Sequence, residues 1–435
     1  MPGAAHASIR WFFRRVIQIY FREIEIVGEI PRSDVGGRLF AANHVNGLVD
    51  PILVLTTAPC AISPLGKAPL WKIPVLRWLL DAVDAVPIVR RRDDPNKNAA
   101  ANDEVFEKVA AHLTKKGNIL IFPEGTSHNE PHLITMRSGG GRMLAHAKDA
   151  GTRGLTFQAV GLEFEERDVF RSRSLLMYGP VRSVDAITDP DLAGAITKIL
   201  ADDLSELIVE GDTWEERILI ARVAEMFANE ARDHTLEGVT LIGQRVEAAK
   251  KLLAPDDPTY RDVATRVSAY YAELERAGVG DEEVAKGELA RKPGGPFRAI
   301  GLVLALPLAI AGIVLYWPPY QVPRIVARKA DEADVVSTYK LGAGLVVHPL
   351  WAAVLVGLAV WFIPGPWLAL AIAIILLSPF AALAWLDRAE RLQRRVRSSF
   401  SAGADIERLG AMRRAAMERL IEARTRWEAV SATGT

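Results

Sequence analysis

The chain contains a single cysteine, Cys60, among its 435 residues. One cysteine excludes an intrachain disulfide framework and is typical of a reducing compartment. No basic partner or helix start lies near Cys60 in the sequence, so we expect a small buried residue rather than a nucleophile. Positive and negative residues balance at 53 each, so no net basic charge is available to attract nucleic acid.

Several motifs that define common enzyme classes are also missing. The sequence has no Gly-rich nucleotide loop, no Gly-x-Ser-x-Gly motif, no Cys/His cluster with zinc spacing and no internal repeat. No secretory signal is visible, because charged residues interrupt the apolar stretch 9–27. These absences give no support to a nucleotide-dependent enzyme, a serine hydrolase of the common type or a zinc protein.

Two stretches with the same design are present. In Leu39–Leu53 (LFAANHVNGLVDPIL) an apolar run ends just before His44, and a polar turn leads to Asp50. In residues 119–127 (ILIFPEGTS) a second apolar run ends in a Pro-Glu-Gly turn. A carboxylate can hold one imidazole nitrogen as N–H and leave the other free to accept a proton. His44 and Asp50 are therefore candidates for a general base and its orienting partner.

Strand-like and helix-like patterns alternate between residues 24 and 190. This alternation predicts an α/β domain with a mostly parallel sheet and helices on both of its faces. Sites in such folds lie past the carboxyl ends of the strands. His44, Arg90 and Glu124 each follow a predicted strand, so we expect the site at that edge of the sheet.

The rest of the chain is predicted to be helical or to lie in a membrane. Residues 343–364 and 367–386 are apolar runs long enough to cross hydrocarbon, which takes roughly 20 residues. The run 299–317 contains Pro307 and is predicted as a re-entrant segment or a third span. Basic residues flank these runs, which predicts an integral membrane protein with its catalytic domain on the cytoplasmic face. The predicted segments are an interfacial amphipathic helix at 1–23, a catalytic domain at 24–190, a soluble helical subdomain at 191–296, a membrane-embedded segment at 297–386 and a basic amphipathic tail at 387–435.

The chain contains three motifs in sequence order, namely Asn43-His44 with Asp50, VPIVRR at 86–91, and FPEGT at 122–126. In this order and rough spacing they resemble the motifs of the PlsC-type glycerolipid acyltransferase family. The resemblance covers about residues 20–185 and includes the predicted helix 66–80, which carries Lys67. The segments SHNEPHLITMRSGGG and VGLEFEERDVFRSR are similar to the yeast-type glycerol-3-phosphate/dihydroxyacetone-phosphate acyltransferase branch.

The resemblance implies a reaction and a set of site residues. It implies transfer of an acyl group from acyl-CoA or acyl carrier protein to a hydroxyl of glycerol-3-phosphate or 1-acylglycerol-3-phosphate. His44 would be the general base and Asp50 would fix its tautomer, with no enzyme nucleophile, metal or cofactor. Membrane lipids are expected partners and nucleic acid is not. The implied substrate-binding residues are Arg90, Arg91, Glu124, Gly125, Thr126, Arg137 and, more weakly, Lys67.

The chain departs from the family pattern at two positions. Five residues separate His44 from Asp50 where the family has four, and Ser127 stands where the lysophosphatidate branch commonly has arginine. The longer spacing supports an alternative, a catalytically silent lipid-binding or scaffold protein on the same fold. A metal-dependent hydrolase that uses His44, Asp50 and Glu124 is a third hypothesis. We expect the remaining histidines of the loop on the surface, namely His128 and His132.

Overall fold

The computed structural model of the chain describes residues 4–88, 100–252, 257–286, 296–400 and 403–433. These residues form two compact units. Unit 1 comprises residues 1–214 together with 332–338, and unit 2 comprises residues 215–331 and 339–435.

Unit 1 contains a seven-stranded sheet in the order β1-β7-β6-β2-β5-β3-β4. Every pairing is parallel except that of β6 with β7, so the predicted mostly parallel sheet is confirmed. The central strand is β2, which pairs with β5 on one side and β6 on the other. The strands are β1 Glu23–Gly28, β2 Arg38–Ala42, β3 Ser63–Lys67, β4 Val86–Ile88, β5 Ile119–Ile121, β6 Thr156–Phe164 and β7 Arg173–Ser183.

Helices cover both faces of this sheet, as the alternating pattern predicts. Side chains alternate between the faces of a strand, and β2 is buried on both. Leu39 faces a cluster shared with α4, α5 and α6, while Phe40 faces Tyr178, which approaches Thr57 at the end of α2. The helices of unit 1 are α1 Ala4–Tyr20, α2 Val49–Thr57, α3 Pro74–Ala82, α4 Ala100–Thr114, α5 Gly139–Asp149 and α6 Leu192–Ser205.

The single helix predicted over residues 66–80 is wrong. Gly66 and Lys67 end strand β3, a 3₁₀ turn spans Ala68–Lys72, and α3 begins only at Pro74. Proline lacks the N–H that a helix interior needs and restricts the residue before it, so it starts a helix more readily than it continues one. Lys67 therefore lies at a strand end rather than on a helix.

The N-terminal helix α1 has two apolar faces. Ile17 and Tyr20 are buried within unit 1, whereas Trp11 and Phe12 are 62% and 47% exposed. The helix is therefore packed on its own domain along one side. The other side has the exposed aromatic surface that favours an interfacial helix. The position of α1 in the membrane interface stays a prediction.

Unit 2 has a helical core that the predicted segments divide differently. Its soluble helices are α7 Trp214–Ala231, α8 Leu236–Leu252, α9 Pro258–Ala277 and α10 Asp281–Lys286. Helix α6, predicted to belong with them, instead packs Ile196 and Leu200 against the sheet of unit 1. Helix α14, Gly403–Thr433, lies in the predicted basic tail, yet its Leu409 and Met417 belong to the same buried cluster as Val267 of α9.

Among the described residues, three helices of the C-terminal half are long and apolar enough to cross a membrane, within Val303–Ala327, Ala333–Phe362 and Trp367–Ala389. They belong to α11 Pro296–Ala327, α12 Val336–Phe362 and α13 Trp367–Phe400. Helix α11 is continuous through Pro307 and three further prolines, where the sequence predicts a re-entrant segment or a third span. Its length and composition suit the third span.

Candidate active site

The two motifs of the sequence meet at one edge of the sheet. Strands β2 and β5 are parallel neighbours, with Ala41 opposite Ile121. Parallel neighbours end at the same edge, so the turn that follows β2 and the turn that follows β5 lie side by side. The backbone N–H of His128 donates to the carbonyl of His44 at 3.2 Å, which joins the two turns directly.

His44 and Asp50 are in contact despite the longer spacing. His44 Nδ1 lies 3.0 Å from Asp50 Oδ2, and the Asn46 N–H donates to the same oxygen at 2.7 Å. Helix α2 begins at Val49, so Asp50 lies in its first turn and His44 lies in the loop before it. Gly47 adopts φ +44°, a left-handed conformation that lets this loop take up the extra residue.

The imidazole of His44 is held in one orientation and is open at one nitrogen. A carboxylate accepts hydrogen bonds, so in the neutral ring the proton lies on Nδ1 and Nε2 carries a lone pair. The ring of Phe122 stacks on the imidazole with centroids 4.1 Å apart and planes 22° apart. Within the described parts of the chain no residue hydrogen bonds to Nε2, and the side chain is 13% exposed. Nε2 can therefore take a proton from a bound hydroxyl.

Glu124 is buried and links the two turns. Its Oε2 accepts the backbone N–H of His44 at 2.6 Å, and its Oε1 lies 2.8 Å from His128 Nε2. The side chain is 1% exposed. Both carboxylate oxygens of Glu124 are hydrogen bonded, so this side chain fixes the backbone at His44. The sequence predicts Glu124 only as a substrate-binding residue of the turn.

His128 belongs to the same arrangement, contrary to the surface position expected for it. The N–H of Glu130 donates to His128 Nδ1 at 3.1 Å. Because Nδ1 accepts, the proton of the neutral ring lies on Nε2 and is donated to Glu124. The side chain is 9% exposed. His128 follows Glu124 by only four residues, but in sequence it is one histidine in a polar loop with no local sign that the two side chains pair.

Three further predicted residues surround the Pro-Glu-Gly turn. Gly125 has φ +77°, and a Cβ placed on it would lie 2.7 Å from Nε of Arg137. The exposed side chain of Arg137 thus lies across Gly125. The backbone N–H of Arg137 donates to the carbonyl of Pro123 at 2.8 Å. Thr126 donates from its hydroxyl to the carbonyl of Ser127 at 3.2 Å. A guanidinium beside a glycine turn is a suitable partner for a phosphate.

The remaining candidates lie farther along the sheet or outside the described residues. Lys67 ends β3, which pairs in parallel with β5, so its strand points to the edge that holds His44. Arg90 and Arg91 follow β4 in the sequence and lie outside the described residues.

The other candidates considered in the sequence lie apart from the contact between His44 and Asp50. Burial raises the pKa of the Cys60 thiol, which disfavours the thiolate. Among the described residues no group of three or more His, Cys, Asp or Glu side chains is arranged to hold a metal ion. His132 Nδ1 lies 3.3 Å from the carbonyl of Gly211.

Comparison with known proteins finds a matching family model and several similar proteins. Residues 23–161 match the family model described as Acyltransferase. Glycerol-3-phosphate O-acyltransferase 1 of Saccharomyces cerevisiae is 26% identical over 58% of this chain, and the matched part spans 37% of the yeast protein. Lyso-ornithine lipid O-acyltransferase of Pseudomonas aeruginosa is 26% identical over 48% of this chain and 72% of its own length.

A solved structure is also similar. The 1-acyl-sn-glycerophosphate acyltransferase PlsC from Thermotoga maritima is 14% identical, with a TM-score of 0.34, and the match covers 46% of this chain and 79% of that one.

Residues 23–161 of the α/β unit are thus similar to the acyltransferase family, and His44 and Asp50 of this region meet beyond the central strand. Among the relatives that the chain matches are two yeast glycerol-3-phosphate acyltransferases.

Proposed function

We propose that the chain is a membrane O-acyltransferase in phospholipid biosynthesis and that His44 is its general base. The contact between His44 Nδ1 and Asp50 carries this proposal, because in the neutral ring it favours the proton on Nδ1 and leaves Nε2 able to accept one. A base held in one tautomer at the end of a strand suits removal of a proton from an acceptor hydroxyl.

The reaction needs only this base and correct positioning. Nε2 of His44 takes the hydroxyl proton as the oxygen attacks the carbonyl carbon of an acyl thioester. The carbon–sulfur bond then breaks, the thiolate leaves, and the proton on His44 passes to the thiolate. The products are an ester and a free thiol, and the imidazole is neutral again. A thiolate leaves readily at neutral pH, so the mechanism uses no enzyme nucleophile, metal or cofactor.

The acceptor phosphate is proposed to bind beside the Pro-Glu-Gly turn. Arg137 would supply the charge, and Gly125 allows a ligand to approach the backbone closely. Arg90 and Arg91 are proposed as further cations, since they follow a strand that ends at the same edge.

Glycerol-3-phosphate is the acceptor that we favour. The two yeast relatives are described as glycerol-3-phosphate acyltransferases, which supports this choice, whereas the Pseudomonas relative is described as acting on a lyso-ornithine lipid. The donor would be acyl-CoA or acyl carrier protein, with the catalytic domain on the cytoplasmic face. The silent scaffold alternative depended on the longer spacing, and the 3.0 Å contact removes that support.

The proposal is tested with the full chain in lipid nanodiscs. Two donors, acyl-CoA and acylated acyl carrier protein, each carry a labelled acyl group. Each donor is offered with glycerol-3-phosphate, 1-acylglycerol-3-phosphate or a lyso-ornithine lipid. We expect labelled 1-acylglycerol-3-phosphate from the first acceptor. Labelled product from only another acceptor would overturn the choice of substrate, and no transfer to any acceptor would overturn the proposed activity.

A further inference from the structure

The turn between His44 and Asp50 is fastened from outside the region that matches the acyltransferase family. That region ends at residue 161. Two later pieces of unit 1 contact the turn: Arg167, in the loop after β6, and residues 334–338, at the start of α12. Neither piece is visible as part of the site in the sequence.

Thr338 is the first of these contacts. Its Oγ1 accepts the backbone N–H of Leu48 at 2.9 Å. Leu48 is the N-cap residue of α2, and its own side chain makes no capping hydrogen bond. The hydroxyl of Thr338 thus takes one of the amide groups that a helix start leaves without an intrahelical partner.

Gly47 shows how closely the two segments approach. A Cβ placed on Gly47 would lie 2.6 Å from Thr338 Oγ1 and 3.0 Å from the carbonyl oxygen of Asp334. The residue that absorbs the longer spacing is therefore the one against which the start of α12 is packed. Any other side chain here would push the turn away from Thr338.

Arg167 fastens the other half of the turn. Its guanidinium donates to the carbonyl of Val45 at 3.2 Å, and its own carbonyl accepts Asn46 Nδ2 at 2.9 Å. The same carbonyl accepts the hydroxyl of Ser337 at 2.7 Å. The two outside pieces are thus joined to each other as well as to the turn.

We propose that Thr338 is a positioning residue for the general base, acting through Leu48 and Gly47 to hold the turn that sets His44 against Asp50. This inference rests on the proposed function. A misplacement of about 1 Å near a reacting group can lower a rate by roughly 10²-fold. Thr338 touches neither reacting atom, so its loss should lower kcat and leave substrate binding intact.

The test compares three variants of the full chain in nanodiscs. Thr338→Val removes the acceptor oxygen at nearly constant shape, and Thr338→Ser keeps it. Thr265→Val is the matched control, since Thr265 lies exposed on α9 with its hydroxyl bonded only to the carbonyl of Arg261 four residues before it. Steady-state kcat and KM for both substrates are measured, together with hydrogen–deuterium exchange of the peptide that contains Leu48.

We expect Thr338→Val to lower kcat by about 10-fold with unchanged KM values, and to speed exchange at Leu48. Thr338→Ser should restore both, and Thr265→Val should change neither. Wild-type kcat in Thr338→Val, or a change in KM alone, would overturn the positioning role. If the valine variant folds poorly, Thr338→Ala is measured in its place against the same criteria.

The exchange measurement separates this inference from the proposed function. A wild-type chain with no acyl transfer would overturn the function, yet faster exchange at Leu48 in Thr338→Val would still support the contact. Unchanged exchange would overturn the contact whatever the activity.

Discussion

The two units bury carboxylates in opposite ways. In unit 2, Asp281 is fully buried and accepts from Tyr270 at 2.7 Å, from Arg413 at 2.9 Å and from Asn229 at 2.8 Å. In unit 1, Asp50 is equally buried, but its contacts from Asn46 N–H and His44 fall on Oδ2 alone. Its Oδ1 has no hydrogen-bond partner among the described residues.

Under the proposed function, this difference separates a network that stabilises from one that reacts. Asp281 is paired with a permanent cation and with hydroxyl and amide donors, so every contact serves to hold four helices together. Asp50 is paired with a ring that can gain a proton, and the other nitrogen of that ring is open. Changes in unit 1 should therefore alter the rate, and changes in unit 2 should alter the stability.

The largest effect is expected at the base itself. His44→Ala should lower kcat by about 10²- to 10⁴-fold, because proton removal in the transition state is lost. Asp50→Asn should lower it by a similar order, since an amide no longer imposes the tautomer with Nε2 free. Both are measured as labelled product formed per minute, with thermal unfolding as the control for folding. Activity near wild type in His44→Ala would identify another base.

A smaller loss is expected from Gly47→Ala. The new Cβ would meet Thr338 and the backbone of Asp334, so we expect kcat to fall by roughly 10- to 100-fold. Gly151→Ala is the matched control, because Gly151 also has positive φ, +90°, but has nothing within 4 Å of the added atom. Equal activity in the two variants would show that the packing at Gly47 does not govern the rate.

Removal of the His128 side chain should have a milder effect than either change. His128→Ala leaves Glu124 Oε1 unpaired and the backbone of His44 less firmly held, so we expect kcat to fall by about 10-fold. His128→Gln can still offer an N–H to Glu124 and should retain more activity. A glutamine variant as slow as the alanine variant would mean that the hydrogen bond is not the source of the effect.

In unit 2 the expected change is in stability rather than in rate. Arg413→Met leaves Asp281 buried without its cation, which typically costs about 3–5 kcal/mol in unfolding free energy. Urea unfolding, monitored by proteolysis, would measure this loss of unfolding free energy. The kcat at low temperature should stay near that of the wild type. Arg419→Met, which removes an exposed ion pair, is the control. A drop in kcat without a loss of stability would break the contrast between the units.

Local patterns in the sequence were enough to predict the α/β order and both motif turns. The apolar run before His44 predicts a strand, and β2 ends at Ala42, so His44 falls just past it. An apolar run followed by a polar turn is a property of a few adjacent residues, which is why its position can be read directly. Whether His44 and Asp50 touch depended on one backbone angle at Gly47, which the sequence permits but does not require.

The features that were missed depend on tertiary contacts, most of them between residues far apart along the chain. Strand β7 was not predicted, and it pairs with β1 about 150 residues earlier, with Glu23 opposite Arg173. The polar loop around His128 gives no local indication that a buried carboxylate lies beneath it. In sequence, helix α14 resembles a basic helix that packs on nothing. In the structure its Met417 lies in the same core as Val267. Tertiary contacts of this kind override the preferences of short segments.

The discontinuity of unit 1 has a consequence for the timing of synthesis. Residues 1–214 and 332–338 are separated by a long stretch that includes the first candidate span. A nascent chain that has reached residue 331 already carries His44, Asp50 and Glu124, but it lacks the hydroxyl that receives Leu48 N–H. Under the proposed function, the turn between His44 and Asp50 would be completed only after the ribosome has delivered the first apolar helix, so that an unfinished chain would be a poorer catalyst than the full chain.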